Sequence, residues 1–187
     1  MAAFEFQTAA LNGVVEITPF YARDARGYCM KWFEKDLFSD QGIPFSAVEE
    51  LESRSERGTL RGLHLQLRYS QDKLVRVLSG EVYDVAVDLR RASDTFGMWA
   101  GFSLSAENRR MLYIPKGFAH GFLVRSREAV VHYLCGGRYD PDSETGVRWN
   151  DPELRIHWPL EPGERPFLSP RDQSLPSFAE FRRRGGL

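Results

Sequence analysis

The chain has 187 residues, a formal net charge of −1 and a pI of about 6.4, so no excess of positive charge favours a nucleic-acid partner. Hydrophobic residues make up 42% and charged residues 27%, as in ordinary soluble globular proteins, and no apolar run approaches the roughly 18 residues of a membrane span. The N-terminal sequence has no signal-peptide pattern, and Cys29 and Cys135 have no CxxC spacing. We therefore expect one cytoplasmic domain, residues 1–187, with two reduced thiols and no membrane partner.

Short segments rich in β-forming residues recur along the chain, separated by Gly, Pro, Asn and Asp. This pattern predicts an all-β sandwich or barrel. A turn is expected at 20–27, a brief helical turn at 34–39 and a polar loop at 54–58, and Ser177 and Glu180 form a capping-box pattern that predicts a short C-terminal helix. In chain order the predicted strands are 14–17, 28–33, 45–53, 73–78, 82–89, 98–104, 111–114, 118–124 and 129–135.

The segment 61–89 holds the first candidate functional residues. We expect a tight loop to carry His64, and the segments 73–78 and 82–89 to form a hairpin that turns at Ser79-Gly80, because Gly accepts the positive φ of a two-residue turn. Such a hairpin would fix His64 and Lys73 on one sheet. A base and a cation fixed in this way can act on a carbonyl compound.

A second motif, Pro115 to His120, has the form PxGxxH, which in cupin-type jelly rolls places a histidine in the barrel mouth. Metal-binding cupins usually add an HxH pair and a Glu that is followed by six residues and a Gly. Here Gln66 replaces the second His of the pair, and Lys73, followed by six residues and Gly80, stands where the acidic ligand would be. Too few ligands remain for a divalent ion, so we expect a barrel with no metal and no cofactor. His132 and His157 are read as packed or surface residues.

Five segments together resemble one known family. RGLHLQ, KLVRVLSGEVYDVAVDLRRASDTFG, LSAENRRMLYIPKGFAHGFLV, GVRWNDPELRIHWP and FLSPRD are similar, in this order, to the dTDP-4-dehydrorhamnose 3,5-epimerases. The match runs from about Val14 to about Glu180. The resemblance implies a double-stranded β-helix (a jelly-roll, cupin-like barrel), which here would carry the short C-terminal helical segments, a homodimer, and a nucleotide-diphosphate 4-keto sugar as substrate. Because exposed strand edges must be paired or covered, we expect the short apolar strands before Tyr21 to build part of the dimer.

Carried over by position, the resemblance also implies the site residues. His64 would be the general base, Asp172 its orienting carboxylate and Tyr133 the acid on the opposite face of the sugar. Lys73 would be the catalytic cation at the sugar. Glu49-Glu50-Leu51 stands where the family commonly has a Gln-x-Asn pair, and Arg171 stands where a Lys is usual. The substrate contacts implied are Arg26, Glu49, Arg61, Gln66, His120, Tyr139, Glu144 and Arg171.

These residue types suit epimerisation next to a ketone. An imidazole titrates near working pH and can remove the C–H proton, and a carboxylate on its other nitrogen fixes the tautomer. An ammonium aimed at the ketone oxygen stabilises the enolate, and a phenol can return a proton to the other face. We expect inversion at C3, C5 or both of a nucleotide-linked 4-keto-6-deoxy hexose. Three alternatives stay open: a sugar 3,4-ketoisomerase, a non-catalytic sugar-nucleotide binding protein and a metal cupin oxygenase.

Overall fold

The computed structural model describes residues 4–184. Three short helices lie among its strands: α1 (Lys35–Asp40), α2 (Pro170–Gln173) and α3 (Phe178–Arg183). The strands are β1 (Glu5–Thr8), β2 (Val15–Thr18), β3 (Phe20–Asp24), β4 (Gly27–Lys31), β5 (Glu49–Glu56), β6 (Leu60–Gln66), β7 (Lys73–Ser79), β8 (Glu81–Asp88), β9 (Trp99–Ser105), β10 (Met111–Ile114), β11 (Phe118–Val124), β12 (Glu128–Cys135) and β13 (Glu144–Gly146).

Two antiparallel sheets face each other and form the predicted jelly-roll barrel. The six-stranded sheet has the order β1-β2-β10-β7-β12-β5, and the five-stranded sheet has the order β13-β6-β11-β8-β9. Apolar residues of both inner faces make one buried cluster, in which Val75 and Val131 come from the first sheet and Val82 and Phe122 from the second. Alternate residues of the central strands point into this core, Val75 and Val77 of β7 and Val82 and Ala86 of β8 among them, which is why period-two patterns predicted these strands.

The predicted hairpin of 73–78 with 82–89 is wrong. Both segments are strands, but β7 pairs with β10 and β12 whereas β8 pairs with β9 and β11, so the chain crosses from one sheet to the other at Ser79-Gly80. Gly80 has a φ of +78°, and a Cβ there would lie 2.1 Å from the carbonyl oxygen of Glu128. The glycine is therefore required by a tight bend, but the bend changes sheets and does not reverse the strand.

Other local predictions differ in smaller ways. The expected loop at His64 is a strand, β6. The expected turn at 20–27 is a hairpin, β3 with β4, whose turn is confined to residues 24–27. The strand expected at 45–53 lies later, at Glu49–Glu56. The helical turn at 34–39 is confirmed by α1, and the C-terminal helix by the capping box of α3.

Segments outside the two sheets cover their outer faces, and this packing fixes the position of the C-terminal segment. Aromatic residues of the N-terminal third, Phe38 and Phe45 among them, cover the six-stranded sheet. Trp158, Phe178 and Phe181 cover the five-stranded sheet, and this packing brings α2 beside β6. None of the helices in the described part of the chain is long and apolar enough to cross a membrane.

Candidate active site

A cavity of about 340 Å³ opens between the two sheets at one end of the barrel. His64 and His120 reach it from the five-stranded sheet, and Lys73 and Tyr133 from the six-stranded sheet. Asp172 closes one side from α2. The further lining residues are Leu51, Ser53, Arg61, Gln71, Gly121, Phe122, Cys135, Tyr139, Glu144, Ser169 and Arg171.

His64 and Asp172 form a close pair at this cavity. The Nε2 of His64 lies 2.5 Å from Oδ1 of Asp172, which also accepts the backbone N–H of Gly62 at 3.3 Å. The hydroxyl of Ser169 donates to Oδ2 at 2.7 Å. Burial acts to raise the pKa of Asp172, but the hydrogen bonds from His64 and Ser169 outweigh it, so this pKa lies below its ordinary value. An ionised carboxylate on Nε2 leaves Nδ1 of His64 as the basic nitrogen.

Two glycines allow β6 and β11 to approach each other at the site. A Cβ on Gly62 would lie 2.5 Å from the Cα of Gly121, and a Cβ on Gly121 would lie 2.5 Å from the carbonyl oxygen of Arg61. A bulge follows between His120 and Phe122. The close approach sets His120 directly opposite His64 in the strand register.

His120 belongs to a second histidine–carboxylate pair. Its Nε2 lies 2.8 and 2.9 Å from the two carboxylate oxygens of Asp84, a residue of β8 with 0% exposure. The ring of Tyr133 meets the His120 ring edge-on, with 6.0 Å between centroids. Burial, with the charge of Asp84 adding to it, raises the pKa of Tyr133 well above its ordinary value, so the phenol keeps its proton.

Lys73 begins β7 and stands beside Cys135 of β12 in the sheet register. Burial lowers the pKa of Lys73 below its ordinary value, although nearby acidic groups, Glu144 and Asp84 among them, oppose the shift. Among residues 4–184, no carboxylate lies within ion-pair distance of its ammonium. Its hydrogen-bonding capacity is therefore available to a ligand in the cavity.

The rim of the cavity carries a cluster around Tyr139, a side chain that is 51% exposed. The Tyr139 hydroxyl donates to Glu144 at 2.6 Å, and Glu144 pairs with Arg171 at 2.6 Å. Glu49 does not line the cavity. Its carboxylate accepts the backbone N–H of Tyr139 at 2.5 Å and the amide of Gln71 at 3.2 Å, so it fixes the rim from behind.

Three further predicted residues have different positions. Arg61 lines the cavity, and its Nε donates to Ser55 at 2.9 Å. Gln66 is buried, and its amide bonds the backbone of Tyr69, Arg138 and Asp140, so it organises the neighbouring loops. Arg26 lies at the exposed tip of the β3–β4 hairpin, paired with Asp24 at 2.6 Å, and does not reach this cavity within the chain.

No group of three or more metal-ligating side chains occurs anywhere in the stretch from residue 4 to residue 184. The two imidazoles at the cavity each have Nε2 engaged by a carboxylate. Because the described residues offer no third ligand there, and Lys73 brings a cation to the position of the acidic cupin ligand, the donor set does not fit a metal of the cupin kind.

A family model described as dTDP-4-dehydrorhamnose 3,5-epimerase matches residues 8–180. The chain belongs to the dTDP-4-dehydrorhamnose 3,5-epimerase family. It is thus an epimerase, an enzyme of the isomerase class.

The sequences and structures of known relatives match this epimerase over nearly its full length. The dTDP-4-dehydrorhamnose 3,5-epimerase of Methanothermobacter thermautotrophicus is 47% identical over 174 residues, which cover 93% of this chain and 94% of that protein. A Legionella pneumophila dTDP-6-deoxy-D-glucose-3,5-epimerase, solved in complex with dTDP-4-keto-L-rhamnose, has a TM-score of 0.90 and 43% identity, covering 94% and 93% of the two chains. ChmJ, a 3'-monoepimerase from Streptomyces bikiniensis in complex with dTDP-quinovose, has a TM-score of 0.87 and 33% identity, covering 95% and 89%.

Sequence reasoning about the epimerase missed several residues of the site. Asp84 is the most important, because it is fully buried and holds His120. Ser169 and Gln71 were missed too. Ser169 donates to the carboxylate of Asp172, and Gln71 donates to the carboxylate of Glu49 behind the rim. The sequence did contain a signal for Asp84. It alternates with Val82 and Ala86 along β8, so it lies on the same face of the strand as these two core residues.

Proposed function

We propose that the chain inverts C3, C5 or both of a nucleotide-linked 4-keto-6-deoxy hexose of the dTDP-4-dehydro-6-deoxyglucose type. One observation carries this proposal: the His64–Asp172 pair and the Tyr133 phenol line the same cavity from opposite sheets. Inversion of a carbon needs a base on one face of the sugar and an acid on the other, and these groups supply both.

In this mechanism His64 removes the proton next to the ketone through Nδ1. The C–H electron pair becomes the enolate double bond, and the carbonyl electrons move to the ketone oxygen. Asp172 takes up the positive charge that forms on the imidazole. Tyr133 then donates its proton to the opposite face of the carbon, and solvent returns one to the phenol. Because burial keeps Tyr133 protonated, it is suited to be the donor.

The developing negative charge needs stabilisation at the ketone oxygen. Lys73 meets this need, since its ammonium has no carboxylate partner among the described residues. The diphosphate and the nucleobase of the substrate are assigned to the rim of the cavity. Arg61 and Arg171 can bind phosphate oxygens, and the half-exposed ring of Tyr139 offers a flat apolar surface to a nucleobase.

A homodimer would give Arg26 a place at the site. The β3–β4 hairpin pairs with no other strand between residues 4 and 184, and an isolated hairpin is marginally stable. The edge strand β5, next to the cavity, carries the acidic residues Glu50 and Glu52, whereas the hairpin carries Arg23 and Arg26. We infer that the hairpin of one copy covers the β5 edge of the other and brings Arg26 to its diphosphate. A monomeric mass by light scattering at micromolar concentration would contradict this.

The decisive experiment is incubation in D₂O with 4-keto-6-deoxy hexoses linked to dTDP, CDP, GDP or UDP, followed by NMR. Deuterium at C3 and C5 with inverted configuration supports the 3,5-epimerase. Inversion at C3 alone, the activity named for ChmJ, would restrict the proposal to one centre. A ketone moved to C3 would indicate the ketoisomerase. Tight binding without deuterium uptake would indicate a binding protein and overturn the proposal.

A cytoplasmic location stays a prediction. It is supported by Cys29 and Cys135, which are unpaired in the fold and suit a reducing compartment. Fractionation of cells that express the native protein would test it.

A further inference from the structure

Asp84 lies in the middle of β8, inside the barrel. Its neighbours on the same side of the strand, Val82 and Ala86, belong to the apolar core, and its own side chain is 0% exposed. An ionised carboxylate in such a place is unfavourable unless a positive or hydrogen-bond-donating group meets it. A purely structural core would place an apolar residue there, so the carboxylate needs an explanation.

One side chain meets this carboxylate in the described part of the chain. Both oxygens of Asp84 lie within 2.9 Å of Nε2 of His120. Because an ionised carboxylate only accepts, Nε2 carries the proton. The ring is thereby fixed with Nδ1 as its remaining polar atom, and His120 lines the cavity.

We propose that Asp84 is a positioning residue of the epimerase: it fixes His120 so that Nδ1 faces the ketone oxygen, and it supports the imidazolium that donates to the enolate. The inference rests on the proposed function and adds to it a second histidine–carboxylate pair. His120 stands directly opposite His64 in the strand register, so the two pairs line the cavity side by side.

The two pairs differ in exposure, and this difference assigns their roles. The side chain of His64 is 25% exposed, as a base that exchanges its proton with solvent requires. The side chains of His120 and Asp84 are 4% and 0% exposed. A pair shut off from water suits a fixed charge that stabilises an oxyanion, since it need not exchange its proton during turnover. The charge of Asp84 also helps to keep Tyr133 protonated.

The test compares Asp84→Asn with a matched control, Asp88→Asn. Asp88 is also 0% exposed on β8 but bonds Arg90, Ser93 and Thr95 away from the cavity. We expect Asp84→Asn to lower kcat about 100-fold, with deuterium exchange and inversion falling together and dTDP affinity unchanged within about twofold. Asp88→Asn should keep the wild-type kcat within about threefold. Equal losses in both variants, or a wild-type kcat in Asp84→Asn, would overturn the proposal.

A double variant separates action through His120 from a general effect of the charge. His120→Asn should lose about as much kcat as Asp84→Asn, and the two changes together should lose no more than about threefold beyond His120→Asn alone. Losses that multiply would mean that Asp84 does not act through His120.

A measurement on the wild type covers the case in which Asp84→Asn fails to fold. In ¹⁵N-histidine NMR of the dTDP-bound protein, His120 should carry protons on both ring nitrogens, with Nε2–H held by Asp84, and either neutral tautomer would overturn the proposal. Wild-type protein inactive on every 4-keto sugar would refute the proposed function. In that case the positions of the protons on His120 would still test whether Asp84 holds its Nε2–H.

Discussion

His64 and Lys73 line one cavity from different sheets, His64 from β6 and Lys73 from β7. The base and the cation are therefore held on opposite walls of a closed barrel and not side by side on a hairpin. A substrate between the walls can present its C–H bond to His64 while its ketone oxygen lies within reach of Lys73. Each group can then act on its own atom without neutralising the other.

Replacing His64 by Ala should abolish both deuterium exchange and inversion, because no other imidazole at the cavity is paired with Asp172. The measurement is ¹H NMR of the sugar in D₂O. His132→Ala is the control, since His132 pairs with Glu50 and packs on Trp32, away from the cavity. Near wild-type exchange in His64→Ala would move the base to another residue, with His120 the first candidate.

Replacing Tyr133 by Phe should separate exchange from inversion. The change removes only the hydroxyl, so His64 can still take a proton and return deuterium to the same face, while inversion falls by about 100-fold or more. Tyr113→Phe is the control, because Tyr113 is also buried but contacts Asp72 outside the cavity. Equal losses of exchange and inversion in Tyr133→Phe would count against the two-face mechanism.

Replacing Asp172 by Asn should slow exchange and leave dTDP affinity unchanged, because the imidazole loses its orienting charge. The variant should also respond differently to acid. Since the folded pKa of Asp172 is lowered, its contribution to stability is complete above the ordinary value of 3.8 and is lost as the pH falls through the folded value. Urea unfolding at several pH values should show the wild-type advantage at neutral pH and its loss below about pH 3.8.

Lys73 should set the alkaline limit of activity. Burial lowers its pKa, so kcat/KM should fall as the pH rises through a value below the ordinary 10.5. Lys73→Arg should move this limb to higher pH, because a guanidinium keeps its charge. Lys73→Met should lower kcat about 100-fold at neutral pH. An unchanged alkaline limb in Lys73→Arg would assign it to a different group.

Chelation should not affect the reaction. Dialysis against EDTA is expected to leave the rate of epimerisation unchanged, because residues 4–184 hold no group of three metal-ligating side chains and a lysine stands where an acidic ligand would be needed. Activity that is lost on chelation and restored by one divalent ion would contradict the metal-free mechanism, particularly if metal analysis found a stoichiometric ion.

The sequence predicted most strands because inward-facing residues alternate with period two. It did not predict which strands pair. The local sequence at Ser79-Gly80 fits both a reversal within one sheet and a crossing between two sheets. Which of the two forms depends on long-range pairing with β10 to β12. Asp84 was missed for a related reason. A lone aspartate in a strand suggests the solvent face, and its burial depends on His120, 36 residues later.

The position of α2 in the chain has a consequence for synthesis and for degradation. Every strand of the two sheets has been made by Gly146, yet the carboxylate that completes the His64 pair comes 108 residues after its imidazole. A growing chain therefore contains all of these strands before it contains the carboxylate that pairs with the base. A protease that removes the segment after β13 takes Asp172 and Arg171 with it, together with the aromatic residues that cover the five-stranded sheet, so the catalytic pair and the outer packing of that sheet are lost in one cut.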